Sequence, residues 1–442
     1  MNTRTSPWRV TEGMPSLPEV HSSLPIPSGP GFFRKLVAFA GPGFLVAVGY
    51  MDPGNWATDI AAGSQFNYRL LSVVLISSLL AILLQSLALK LGIAVERDLA
   101  QACHDHYSKP VSWMLWVLAE IGIAACDLAE VIGSAIALQL LFHIPLTLGV
   151  CITAGDVLLM LLLQQRGFRY IEAIVVTLIA TISICFGLEI LYSHPEIMPM
   201  LAGLLPRQEL ISNRTMLYIA VGILGATVMP HNLYLHSAIV QTRQYARTPE
   251  GKREAIKYCN IDSAIALTFA FFVNAAILIV AAAVFYRNGH HEVAEITDAY
   301  KLLSPLLGVT GASMLFAVAL LASGQNSTLT GTLAGQIVME GFLNIRLKPW
   351  LRRLVTRLLA IIPAIIVSFF YGASGTAKLL IFSQVVLSMQ LSFAVFPLVA
   401  FTSDKAKMGE FVNGAFLRTL SWGAALVIAG LNVWLLIEAV RG

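Results

Sequence analysis

Apolar residues run in blocks of about 20 along nearly the whole chain, from Leu36 to Val440. That is the length that carries a helix across the hydrocarbon core of a bilayer. Eleven spans are predicted, at about 37–62, 70–93, 112–141, 146–164, 170–192, 217–240, 261–286, 309–341, 351–371, 377–401 and 415–440. The period-2 alternation of an outer-membrane barrel is absent. Residues 1–33 are rich in Pro and Ser and hold no long apolar run. They predict a disordered cytoplasmic tail, neither signal peptide nor span. Residues 34–442 form the membrane domain.

Two blocks are broken from within. Asp52-Pro53-Gly54-Asn55 interrupts the first and Met229-Pro230-His231-Asn232 the sixth. A break inside a bilayer strands backbone carbonyls and polar side chains, which is tolerated only where it lines a cavity or binds something. Five spans separate the two breaks. Five is odd, so a repeated five-span unit returns inverted. Repeat one covers about 37–192, repeat two about 217–401, and the span at about 415–440 is peripheral. Interrupted helices at matching places in inverted halves point to a transporter's midplane site.

Composition agrees with a polytopic all-α membrane protein. Hydrophobic residues make up 57% and charged residues 12%, against about 25% charged in soluble domains. The net charge of +4 sits mostly in loops, which argues for membrane orientation and against nucleic-acid binding. Arg34 and Lys35, Arg97 and Lys109, Arg166 and Arg169, the cluster from Arg243 to Lys257, Arg346 to Arg353, and Lys405 with Lys407 fall on alternate loops. The positive-inside rule then puts the N-terminus in the cytoplasm and the C-terminus outside. Cys103, Cys126, Cys151, Cys185 and Cys259 lack metal-type spacing and read as free, mostly buried thiols. No His-Glu-x-x-His or comparable catalytic motif appears, so an intramembrane metalloenzyme is disfavoured and no enzyme activity or cofactor is predicted.

The polar residues at depth carry the candidate chemistry. A carboxylate at mid-bilayer costs roughly 2.5–3.5 kcal/mol on insertion scales, and Asp52 follows about fifteen apolar residues. Asn55 lies across the same unwound turn. Met229 offers a thioether, which adds little for Mg or Ca and more for Mn, Fe and later metals. Both half-helices that end at the breaks point partly negative C-termini at this place, with Gly49 and Ala226 as candidate carbonyl donors. His231 can ligate or carry a proton; His236 lies about 140° around the helix from it. Glu120, Asp127 and Glu130 share one face of the third span, a natural proton relay, with Arg352 and Arg353 as candidate partners. Asn274, Asn326 and Gln384 are further deep amides, with Gln384 the preferred gate residue.

These residues resemble the Nramp family of proton-coupled metal transporters. Asp52-Pro53-Gly54-Asn55 and Met229-Pro230-His231 carry the resemblance, supported by Asp127-Leu128-Ala129-Glu130, Gly324-Gln325-Asn326-Ser327 and Arg352-Arg353. It covers about residues 37–440. It implies the LeuT-type fold, a bacterial plasma-membrane location, and Asp52, Asn55, Met229 and the Ala226 carbonyl as metal ligands. Gly49 stands where many relatives have Ala, which adds local flexibility. The expected activity is inward symport of Mn2+ or Fe2+, with Cd2+ and Co2+ also suited, together with protons. Metal ions, protons and the lipid bilayer are the expected partners, and no obligatory protein partner is predicted. A sodium-coupled amino-acid transporter on the same scaffold is the alternative. A channel would need a symmetric selectivity loop that the sequence lacks.

Overall fold

The computed structural model describes residues 24–26, 31–153, 155, 168–345, 351, 355, 361–366 and 375–441. Leaving aside single turns, its helices are α1 Phe32–Phe39, α2 Pro42–Gly49, α3 Pro53–Phe66, α4 Leu71–Val95, α5 Leu99–His106, α6 Lys109–Phe142, α7 Leu146–Thr153 and α8 Phe168–Ser193. They continue as α9 Ile197–Gly203, α10 Arg214–Thr227, α11 Pro230–Ile239, α12 Pro249–Ala281, α13 Ile296–Leu307, α14 Ala312–Leu343, α15 Thr376–Thr402 and α16 Ala415–Arg441.

Among the described residues, seven helical runs are long and apolar enough to cross a membrane, and α1 with α2 makes an eighth, bent by 49°. The 32-residue α14 is long enough as well. Its buried Ser323, Asn326, Ser327, Thr328, Thr330 and Thr332 dilute its hydropathy without exposing it to lipid. The predicted fourth and ninth spans fall largely outside the described residues.

The breaks form where the sequence places them. Pro is the first residue of α2, α3, α11 and α12. There its missing N–H costs nothing and its fixed φ starts the helix. The first span is broken twice, however. Besides the predicted interruption at Asp52, the chain kinks at Ala40-Gly41, where Gly41 has φ 132°, a conformation that only glycine adopts freely. Nearby, Leu24–Pro25 pairs in parallel with Arg243–Gln244, so this piece of the predicted tail lies against the membrane domain.

Helix α3 is the hub. It packs against α6, α10, α12 and α15. Trp56 anchors it, held edge-on against Phe186 of α8 at 4.8 Å and Phe316 of α14 at 5.1 Å between ring centroids. Such aromatic pairs contribute roughly 0.5–1.5 kcal/mol each beyond their burial.

Candidate metal site

At the first break, α2 tightens before it ends. The Tyr50 and Met51 N–H groups reach back to Ala47 O at 3.1 Å and Val48 O at 3.0 Å. Asp52 is extended and caps α3. Its Oδ1 accepts from the Asn55 backbone N–H at 2.9 Å and from Asn55 Nδ2 at 2.7 Å. Its Oδ2 is buried and has no hydrogen-bond partner. Asn274 of α12 donates through Nδ2 to Tyr50 O at 2.8 Å and to Asn55 Oδ1 at 3.3 Å. Ser323 of α14 and the Trp56 indole both donate to Met51 O. The unwound carbonyls are thus held by named donors rather than by water, as a break at membrane depth requires.

The second break faces the first. Helix α10 closes with Val228 N–H on Leu224 O at 2.8 Å. Met229 is extended and precedes α11. Its side chain is wholly buried against Ala125 and Cys126 of α6 and Leu387 of α15. The two breaks are joined directly, because Asn55 Nδ2 also donates to Ala226 O at 3.0 Å. The partly positive NH2 of Asn55 therefore stands between two oxygens, Asp52 Oδ1 and Ala226 O. A cation would replace that group if the amide turned over, gaining Asn55 Oδ1 as a further donor. The C-terminal ends of α2 and α10 add negative potential at the same place.

The remaining predicted residues separate into groups. Asp127 and Glu130 are fully buried. Thr328 donates to Glu130 Oε2 at 3.2 Å, and His231 is buried with its Nδ1 lacking a hydrogen-bond partner. Glu120 is half-buried and accepts from the Trp116 indole at 3.2 Å. Arg352 and Arg353 lie outside the described residues. His236 belongs to another chain of bonds. Its Nδ1 meets Gln85 Oε1 at 2.9 Å, and Gln85 Nε2 donates to Tyr50 OH at 2.6 Å. Both amide atoms of Asn326 are buried without a hydrogen-bond partner. Gln384 presses its amide against Gly54, where a Cβ would overlap it. Gly49 has a packing role, since the Asn232 side chain occupies the place of its absent Cβ.

Sequence reasoning missed a second polar cluster, at the start of α2. Arg243 is wholly buried. Its Nη2 pairs with Glu172 Oε1 of α8 at 2.6 Å and donates to Ala40 O at 2.8 Å. Asp262 of α12 accepts from Gly43 N–H at 2.7 Å and from Gly41 N–H at 3.3 Å. Three elements thus hold one end of α2. At its other end the metal site is closed, with Asp52, Asn55, Met229, Asn274 and Gln384 each at most 1% exposed. A cavity of about 670 Å3 opens elsewhere, among His290, His291, Asp298 and Lys301.

Among the described residues, no three His, Cys, Asp or Glu side chains gather as a metal-holding group. The breaks instead offer one carboxylate with an amide, a carbonyl and a thioether. Such a mixed, weak set suits an ion that must also leave.

Residues 43–438 match the Nramp family, described as natural resistance-associated macrophage protein-like. The divalent metal cation transporter MntH of Listeria innocua is 67% identical over 429 residues, covering 97% of this chain and 96% of its own. MntH of a Nostoc species is 63% identical over 431 residues, covering 98% of each. Among solved structures, the manganese transporter of Eremococcus coleocola superposes with a TM-score of 0.88 at 44% identity, covering 95% of this chain and 90% of its own. Mhp1, a nucleobase-cation-symport-1 family transporter, superposes with a TM-score of 0.54 at 15% identity, covering 91% of this chain and 92% of its own. That likeness extends to the fold alone, which is the LeuT type.

Proposed function

The chain belongs to the Nramp family, a family of transporters and not of enzymes, and from that premise we propose that it imports divalent transition-metal ions together with protons. One observation carries the reading. Asp52 and Asn55 of the first break and Ala226 beside the second meet through a single amide group, at 2.7 and 3.0 Å, although Asn55 and Ala226 stand 171 residues apart. The manganese and divalent-metal transport named for the relatives supports the same assignment.

The ion reaches the breaks from outside, between α10, α15 and α3, and loses most of its water to Asp52, Asn55, Met229 and the Ala226 carbonyl. Mn2+ and Fe2+ suit this mixed oxygen and sulfur set, and Cd2+ and Co2+ also fit. Protons pass by His231, Asp127 and Glu130. Helix α2 then swings away from Arg243 and Asp262 to open the cytoplasmic side. The chain lies in the plasma membrane of a bacterium with its N-terminus inside. The membrane potential favours inward movement, at about 2.3 kcal/mol per charge per 100 mV.

Proteoliposomes loaded with a pH dye and offered Mn2+ beside excess Ca2+ test this directly. Mn2+ uptake that acidifies the lumen and ignores Ca2+ is expected. Uptake without acidification would reduce Asp127, Glu130 and His231 to a structural network. No uptake would end the proposal.

Two substitutions sharpen it. Met229→Ala removes the soft donor, so Ca2+ should begin to compete with Mn2+, read as inhibition at Ca2+ concentrations that leave the wild type untouched. Gly54→Ala drives a methyl into the Gln384 amide. Misplacement of that order can lower a rate by about 100-fold, so uptake should collapse, and further replacement of Gln384 by Ala should recover part of it.

A further inference from the structure

A second sulfur stands beside the site. Cys126 of α6 is 2% exposed and packs with Met229, Ala125 and Leu387. Its thiol points at Glu130, with Sγ 3.6 Å from Oε1. The first break contributes Asp52, whose Oδ2 is the buried oxygen left without a hydrogen-bond partner. The remaining cysteines have other surroundings. Cys103, Cys185 and Cys259 sit in apolar packing clusters, and Cys151 is exposed. Of the five cysteines, Cys126 is the one that shares its buried cluster with Met229.

Resting on the proposed metal transport, we infer that Cys126 is a second soft donor of this pocket and biases it towards soft divalent cations such as Cd2+ relative to Mn2+. Sulfur is polarizable and favours soft metals, while carboxylate and carbonyl oxygens favour hard ones. Met229 alone gives the pocket one soft side. Cys126, in the same buried cluster from α6, brings a second sulfur to that side. Serine in its place keeps nearly the same size and presents a hard oxygen, so Cys126→Ser separates softness from volume.

The test is uptake of Mn2+ and Cd2+, each titrated separately, by wild type and Cys126→Ser in proteoliposomes. The preference for Cd2+, expressed as the ratio of the two KM values, should fall roughly tenfold, the lower end of what a residue tuning a metal site contributes. A ratio unchanged from wild type overturns the inference while leaving metal transport intact. Absence of Mn2+ uptake by the wild type overturns the transport reading itself. Wild-type protein in detergent gives an answer that does not depend on the variant folding. Cd2+ should produce a near-ultraviolet sulfur-to-cadmium absorption that excess Mn2+ displaces. An absorption that Mn2+ leaves in place, or none, overturns the inference.

Discussion

Asp52→Asn should stop metal uptake while leaving the protein folded. Asparagine caps a helix about as well as aspartate, so the start of α3 and the bond to the Asn55 backbone N–H survive. What disappears is the negative charge. In the native chain the buried carboxylate faces the Asn55 amide on one oxygen and nothing on the other, an arrangement that calls for a cation. Removing a ligand itself should exceed the roughly 10–100-fold loss of affinity seen for its supporting partners. Mn2+ binding by calorimetry and uptake into liposomes should therefore both fall by at least about 100-fold, with the melting temperature near that of the wild type. A variant that still transports at a tenth of the native rate would show that Asp52 is not the central ligand.

Arg243→Ala should produce the largest loss of stability among single substitutions at either cluster. Breaking a buried ion pair by removing one partner costs about 3–5 kcal/mol, because the remaining charge is stranded. Here the charge that loses its Arg243 counter-ion is Glu172, buried beside Gly41, while Ala40 O loses the Arg243 donor. The damage is local, at the end of α2 remote from the metal. Cysteine introduced at Leu45, one turn from Gly41 and buried, should become reactive to a cytoplasmic-side reagent in this variant and stay protected in the wild type. The double variant Arg243→Met with Glu172→Gln should recover much of the lost melting temperature, since it removes both charges together. Equal loss in the single and double variants would assign the effect to packing rather than to the stranded carboxylate.

How far the sequence revealed this depended on the range of the forces involved. The breaks were legible because their causes are local. Pro53 and Pro230 cannot continue a helix, and Asp52 caps the next one. The pairing of Asp127 with Glu130 on one face of α6 followed from helical geometry alone. The cluster at the start of α2 was not legible. Arg243 was counted among the loop charges that orient the chain, and its partner Glu172 is 71 residues away. No local pattern links the two, because the contact exists only once α8 and α12 have packed around α2. The kink at Gly41 does have a local signal in Gly41-Pro42-Gly43, which the reading of one apolar block at about 37–62 does not use. Cys126 reads correctly as a free, buried thiol, but its place in one cluster with Met229 depends on the packing of crossing helices, which spacing along one segment does not reveal. His236 needed the packed structure, since the face it occupies is settled by Gln85 and Tyr50.

The two interruptions that bound α2 have a mechanical consequence. Its eight residues make a rod of about 12 Å, jointed at Gly41 on one side and at the Tyr50–Asp52 turn on the other. A rod with one joint swings like a pendulum and drags everything attached to its free end. A rod with two joints turns as a crank, so α1 can keep its orientation while α2 rotates. Beyond the second joint, Trp56 packs α3 against Phe186 and Phe316, which resists its following. In the proposed transport cycle the working stroke is thereby confined to one short segment.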